Sequence, residues 1–200
     1  MRLNRGHFLI TPGTGRAALL ACISLLLGAC GGSGNGDGMK TVAVSGTVSY
    51  EFVPTNAACS GLNFNAIEVR PIRGATVQLI DAASGTEIAR TTSSAVGTFS
   101  IPGIQRNIVV QLRVRAELKD SNVPGWDVEV RDNFIAGASD LDSPAPPSLS
   151  TRALYTLNSA SFDTGTSNVQ HNLTATTGWD GASYSGPRAA APFALLDTAY

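Results

Sequence analysis

The chain has 200 residues, with 14 Lys+Arg against 15 Asp+Glu and a formal charge of −1 at pH 7. Three of the basic residues, Arg2, Arg5 and Arg16, precede Cys30, and none of the acidic ones does, so the remainder carries a formal charge of about −4. That length suits one domain of ordinary size with appendages, and a weakly acidic chain without a basic stripe excludes a nucleic-acid-binding class.

The first element is an address. Arg2, Arg5 and Arg16 lead into the eleven-residue apolar run Ala17–Leu27, followed by the small pair Gly28-Ala29. This is the order of a secretory signal. The run falls well short of the ~20 residues a membrane-spanning helix needs. Leu27-Gly28-Ala29-Cys30 resembles the lipobox of bacterial lipoproteins. The resemblance implies cleavage between Ala29 and Cys30, diacylglycerylation of the Cys30 thiol and acylation of its new amino group. One acyl chain holds a protein to a bilayer only marginally, whereas several make release slow. Position 31 is glycine, not the aspartate that favours inner-membrane retention, so the resemblance implies an outer-membrane lipoprotein, exposed to the periplasm or at the surface.

Behind Cys30, the Gly-rich stretch to Gly38 has no side chain able to support a core and reads as a tether over residues 30–40. Cys22 leaves with the signal and Cys30 carries lipid, so Cys59 is the one ordinary thiol left and no intramolecular disulfide forms. One cysteine and one histidine cannot make a zinc site.

From Thr41 to Tyr50 the chain alternates, with Val42, Val44, Gly46, Val48 and Tyr50 on one side, which is the period of a half-buried strand. Glu51–Pro71, broken by Pro54, Asn56 and Gly61, reads as a long insertion with a short extended piece near Ala66–Val69. Ala75, Val77 and Leu79 then face in, against Thr76, Gln78 and Ile80 facing out. Asp81–Gly85 is a turn by composition and Thr86–Thr92 a third strand. After the turn Ser93–Gly97, Phe99 and Ile101 point in, and Pro102-Gly103 is expected to stop that strand. Asn107–Leu118 alternates most clearly, with Val110, Leu112, Val114, Ala116 and Leu118 dry and Gln111, Arg113, Arg115 and Glu117 wet. Trp126, Val128 and Val130 alternate after the turn Pro124-Gly125. The prolines of Asp140–Ser150 bar that segment from an interior strand. Leu154–Asn158 and Val169–Ala175 complete the strands.

Short strands between Gly/Pro/Asn turns, without intervening helices, indicate an all-β antiparallel sandwich over 41–176. The series Val44-x-Gly-x-Val48, Gly74-Ala75-x-Val77-x-Leu79, Gly97-x-Phe99-x-Ile101 and Val110-x-Leu-x-Val-x-Ala116 resembles the carboxypeptidase regulatory-like family. The resemblance implies a transthyretin-type, seven-stranded sandwich serving as an accessory domain. The chain departs from that pattern in the Glu51–Pro71 insertion and at Val96, where the turn usually carries Asp or Asn.

No catalytic constellation stands out, and no cofactor is expected. His171 shares the parity of Val169 and Leu173 and reads as a packed histidine. Asp127, Glu129 and Asp132, and likewise Asp140 and Asp142, lack the spacing of a calcium loop. No Gly-x-Ser-x-Gly elbow is present. An internal Lys–Asn isopeptide is disfavoured, because Lys40 precedes the first strand and Asn172 lies on the polar parity. For a glycan or protein ligand the best contacts are Trp179 and Tyr184, in the Gly/Ser loop from Gly178 to Gly186, whereas Trp126 reads as core.

Arg188 onward carries a helical stripe, Ala189, Pro192/Phe193, Leu196 and Tyr200. So short a helix is marginal alone, and its apolar face is expected to await a partner downstream of residue 200. The segments Gly125–Val128 and Gly186–Asp197 resemble the front of lipoproteins that continue into a zinc-protease-like region. That implies, as the alternative function, an accessory part of a larger cell-envelope enzyme. The His-Glu-x-x-His motif of such a region is not among these residues, so no catalytic residue is assigned.

Overall fold

The structure, a computed structural model, describes residues 40–119, 127–132 and 152–200. All belong to the compact unit Asp37–Tyr200; the other unit, Met1–Gly36, lies outside the described residues, as do Cys30, Trp126 and Asp140–Ser150. The protein is mostly β, with two antiparallel-rich sheets and one short helix close to residue 200.

Strand β1 (Thr41–Phe52) is the axis of the first sheet, and its even-numbered residues from Val42 to Tyr50 are all buried, as the alternation predicts. Along its first half it lies between β5 (Thr98–Gln105), antiparallel, and β10 (Val169–Gln170), parallel: Val44 pairs with both Ile101 and Val169. Along its second half it lies between β2 (Glu68–Pro71), antiparallel, and β11 (Leu173–Ala175), parallel: Tyr50 pairs with both Arg70 and Ala175. The purely antiparallel sandwich expected from the sequence is therefore corrected at the β10 and β11 edge. Alternation tells which face a residue takes, not which way its neighbour runs.

The break between β10 and β11 falls where the His171 carbonyl presses onto Gly46; a Cβ at Gly46 would collide with that backbone. There β1 would lose ladder partners, and asparagines spaced four apart replace them. Asn168 Oδ1 accepts from the Ala43 N–H and Asn172 Oδ1 from the Thr47 N–H, each at 2.9 Å. These two half-buried backbone donors are thus satisfied by side chains.

In the second sheet, β3 (Ala75–Asp81) lies between β4 (Glu87–Thr92) and β6 (Val109–Lys119), with Gln78 opposite Arg90 on one side and Arg113 on the other. The far side of β6 is filled in turn by β9 (Phe162–Asp163), β8 (Thr156–Asn158) and β7 (Asp127–Glu129). The two sheets meet in one apolar core, to which β1, β5, β3 and β6 all contribute, including Val44, Ile101, Leu79 and Leu112.

Three expectations are corrected here. Pro102-Gly103 does not end its strand: β5 runs on to Gln105, with Gly103 at φ +77 and a register shift opposite Val42/Val44. Proline lacks a ladder donor, and an outer strand tolerates it. Thr76, Gln78 and Ile80, at 9%, 5% and 2% exposure, are buried as well as their inward neighbours, and Glu117 is only 2% exposed. Charged cross-strand neighbours roof this face. The Gln78 amide donates to Glu87, which also pairs with Arg90, and Glu117 holds Arg115 at 2.8 Å. Burial raises the Glu117 pKa, but hydrogen bonds from Arg115 and Thr76 and the charges of Arg115 and Lys119 outweigh it, so the carboxyl titrates below its ordinary value.

The third correction concerns the helix α1 (Ala190–Asp197). Its Ala190, Pro192, Phe193 and Leu196 are buried within the sandwich core rather than left for a downstream partner. The helix closes the end of the sandwich where β1 and β6 finish. Its first N–H, at Ala190, donates to the Thr176 carbonyl (2.9 Å). Beyond it, Tyr200 packs under Gly74, whose missing Cβ leaves room for the ring; a Cβ there would stand 2.8 Å from it. A polar latch completes the contact. The Tyr50 hydroxyl donates to Asp197 Oδ2 (2.7 Å), and Arg73 Nε donates to Asp197 Oδ1 (2.6 Å). Burial first, and the Asp197 carboxylate second, push the Tyr50 phenol up to about 12.

Candidate functional site

The Glu51–Pro71 insertion folds back on itself. Asn56 and Gly61 share a backbone bond, Thr55 bridges to Leu62, and the Asn63 N–H donates to the Pro54 carbonyl (2.7 Å). The Asn63 side chain then caps a 3₁₀ turn, Phe64–Ala66, accepting from the Asn65 N–H (3.2 Å). The outcome is a fixed position for Phe64. The expected extended piece of the insertion is β2 itself, two residues later than anticipated.

A second small hairpin approaches from the other side. Glu51, at the end of β1, accepts from both the backbone N–H and the hydroxyl of Thr177 (2.7 and 3.0 Å), which hooks the chain after β11 onto the sandwich. From Gly178 the backbone turns with φ +72, pressed so closely on Gly186 that no side chain fits, and the Ser185 N–H donates to the Gly178 carbonyl (2.9 Å). At the tip, Asp180 Oδ1 accepts from the Ala182 and Ser183 N–H groups. These backbone bonds, that of Ser183 first, hold the carboxyl below its ordinary pKa. Trp179 and Tyr184 become bridge partners across this hairpin.

Three rings from the two hairpins assemble. Phe64 stacks on Trp179 with centroids 4.6 Å apart, and Tyr184 meets both edge-on, at 5.4 Å from Trp179 and 5.7 Å from Phe64. The Arg188 guanidinium lies 3.7 Å over the Tyr184 ring. Tyr184 is 40% exposed, Trp179 and Phe64 are half-buried, and Leu62 is exposed nearby in sequence. Such pairs hold each other by about 0.5–1.5 kcal/mol beyond area burial, and the cation adds to this. Chemically the cluster offers ring faces and a cation, suited to stacking on a sugar or another ring and to hydrogen bonding through the phenol and guanidinium. Trp179 and Tyr184 are thus brought together as the sequence groups them. Phe64 and Arg188 were not anticipated; a lone aromatic in an Asn-rich insertion was the available signal for the first.

Of the other singled-out residues, His171 is half-buried and stacks on Phe162 (4.2 Å) rather than reaching the core, with its backbone N–H donating to Ser45. Cys59 is exposed and free. Glu129 pairs with Arg131 (2.5 Å) and Lys119 (2.7 Å), whose hydrogen bonds bring its carboxyl down to about 2. Among the described residues, no group of three or more His, Cys, Asp or Glu side chains could hold a metal ion, and no helix is long and apolar enough to cross a membrane. Ala29 and Cys30 lie outside the described residues.

Comparison with models of protein families finds no match, and comparison with curated proteins finds none either. Among solved structures the chain is similar to a 9R-lipoxygenase from Cyanothece PCC8801, with 12% identity and a TM-score of 0.29. The match covers 72% of this chain and 18% of the lipoxygenase, and a likeness at that score carries no argument about fold or activity.

Proposed function

We propose that this protein is a lipid-anchored, extracytoplasmic β-sandwich that works as an accessory or adhesive module without catalysis of its own, with the Phe64/Trp179/Tyr184 cluster as its recognition surface. The observation that carries the reading is polarity along β1. Lys40, ten residues after Cys30 in the sequence, stands at one end of β1, and the aromatic cluster hangs from Glu51 and Thr177 at the other. A surface meant for a glycan or protein partner belongs on the side away from the anchor. Joining segments that share a neighbour, β2 with β5, β10 with β11, and β7, β8 and β9 with one another, supports the seven-stranded sandwich of the carboxypeptidase regulatory-like resemblance. The alternative, an accessory region of a longer zinc-protease-like enzyme, loses one of its motives, since the apolar face of α1 is already spent on the core.

Two measurements test the proposal. Cys30→Ala should abolish incorporation of labelled fatty acid, and incorporation that persists would rule out the anchor. A panel of immobilised envelope polysaccharides and cell-surface proteins should retain the protein, and Tyr184→Ala should release it at least tenfold more readily without changing its melting temperature by more than a few degrees. A retained ligand indifferent to both Tyr184→Ala and Trp179→Ala would exclude the cluster as the surface.

A further inference from the structure

At the end of the sandwich opposite the aromatic cluster, a pocket of about 320 Å³ is lined by Lys40, Gln105, Arg106, Asn107 and Thr166. Its lining holds two cations, two amides and a hydroxyl, and no carboxylate. Six of the other basic residues, Arg70, Arg73, Arg90, Arg115, Lys119 and Arg131, each pair with an acid, Arg113 bonds the Asn158 amide and Arg188 lies over the Tyr184 ring. Among the described residues Lys40 and Arg106 have no such partner, and the Arg106 Nε is buried without any hydrogen-bond acceptor. A buried donor left unmade is costly, and an arriving oxyanion relieves that cost.

The pocket is also held in shape. Asn107 takes φ +55 to turn β5 into β6, and its N–H donates to the Gly165 carbonyl (3.0 Å). Thr164, buried to 1% exposure, clamps both sides of that turn: its hydroxyl donates to the Gln105 carbonyl (2.9 Å) and accepts from the Ile108 N–H (3.1 Å). Little ordering remains to be done when an anion arrives.

We propose that this pocket binds a phosphoryl anion, and that its source is the headgroup of an anionic phospholipid. The inference rests on the lipid-anchor reading. Lys40 stands ten residues from Cys30, a span that even fully extended reaches at most roughly 36 Å, so an acylated Cys30 would keep Lys40 within that distance of the headgroups. A chain with a net negative charge gains nothing from an anionic surface as a whole. Headgroup contact therefore needs a local site such as this one, which would fix the tilt of the sandwich on the bilayer.

The chain has two lysines, Lys40 and Lys119, and the second, held by Glu117 and Glu129, serves as an internal reference for amine-reactive labelling. The full lipidated protein is labelled in phosphatidylcholine vesicles with and without phosphatidylglycerol, and in detergent with and without inorganic phosphate. Phosphatidylglycerol should lower Lys40 labelling relative to Lys119 severalfold, Arg106→Gln should remove that protection, and Arg106→Lys should keep most of it. Equal labelling in all vesicles, or protection that survives Arg106→Gln, overturns the proposal. Protection by inorganic phosphate with none by phosphatidylglycerol overturns the headgroup assignment. Should Cys30 prove unacylated, the anchor reading fails on its own, and the detergent arm still decides the pocket: protection by phosphate that Arg106→Gln abolishes supports the anion site, and none overturns it.

Discussion

Leu195 and Leu196 are neighbours on one helical turn with opposite surroundings, and truncating each to alanine isolates what docking of α1 is worth. Leu196 is 2% exposed and belongs to the core with Phe193, whereas Leu195 is 62% exposed. Both variants lose the same atoms and gain the same helix propensity, so the difference between them reports packing alone. Removing a fully buried leucine side chain costs ~2–5 kcal/mol, the loss of transfer energy plus the cavity left behind. Removing an exposed one changes stability by a few tenths. For a domain of this size about 1 kcal/mol moves the melting temperature by roughly 2–4 °C, so Leu196→Ala should lower it by about 4–20 °C and Leu195→Ala by no more than ~2 °C. Urea unfolding followed by circular dichroism should show one transition for each, with the midpoint of Leu196→Ala displaced and its slope unchanged. Equal small effects would mean that α1 is not part of the cooperative core. A separate early transition in Leu196→Ala would mean that it docks but unfolds alone.

The remaining expectations follow from single contacts. Leu112→Ala should cost ~2–5 kcal/mol and Arg113→Ala a few tenths, because Leu112 is fully buried and Arg113 touches Asn158 at the surface; equal losses in urea unfolding would contradict the register of β6. The Tyr50 phenol, raised from 10.0 to about 12, keeps its proton in the folded state after the unfolded chain has lost it. Its contribution is complete below pH ~10 and disappears as pH rises through ~12, so Tyr50→Phe should flatten that alkaline loss in melting curves, and an unchanged slope would refute the latch. Glu129, lowered from 4.5 to about 2, has the opposite sign: its contribution is present above pH ~4.5 and is lost as pH falls through ~2. Glu129→Gln should therefore be less stable than the parent at pH 7 and converge with it in acid; a gap that persists at pH 2 would show that charge is not the cause.

Much of the core was legible because β1 from Val42 to Tyr50 and β6 from Val110 to Ala116 obey a period of two, and both bury the residues that the pattern names. The failures share a cause. Period reports the side of a sheet, and the covering of that side comes from residues far away in the chain. Thr76 and Gln78 read as wet because nothing local shows that Glu117 and Glu87 will lie over them. The parallel edge was hidden for the same reason, although Asn168 and Asn172 repeat the four-residue spacing of Ala43 and Thr47, whose N–H groups they accept from. At the candidate site Trp179 and Tyr184 were legible as neighbours in one short loop. Phe64 was not, because its place depends on an insertion that closes on itself through backbone bonds between Pro54 and Asn63.

The insertion and the helix also explain why both extra segments gather at one end of the molecule. β1 is twelve residues long, roughly 36 Å of strand, and at its Lys40 end the β5–β6 turn is closed by Thr164 with no added segment. At its Phe52 end the sandwich is open: β1, β3 and β6 bring Tyr50, Ala75 and Leu118 to a rim that neither sheet covers alone. Phe193 and Leu196 fill that opening, Asp197 ties it to Arg73 and Tyr50, and the loop leading to the helix must then pass Glu51. Passing Glu51 places Trp179 beside the insertion that leaves the same strand end. The aromatic cluster is thus a consequence of how the end is plugged. A change that undocks α1, such as Leu196→Ala, should loosen Trp179 and Tyr184 as well, read as a change in tryptophan fluorescence on the folded variant.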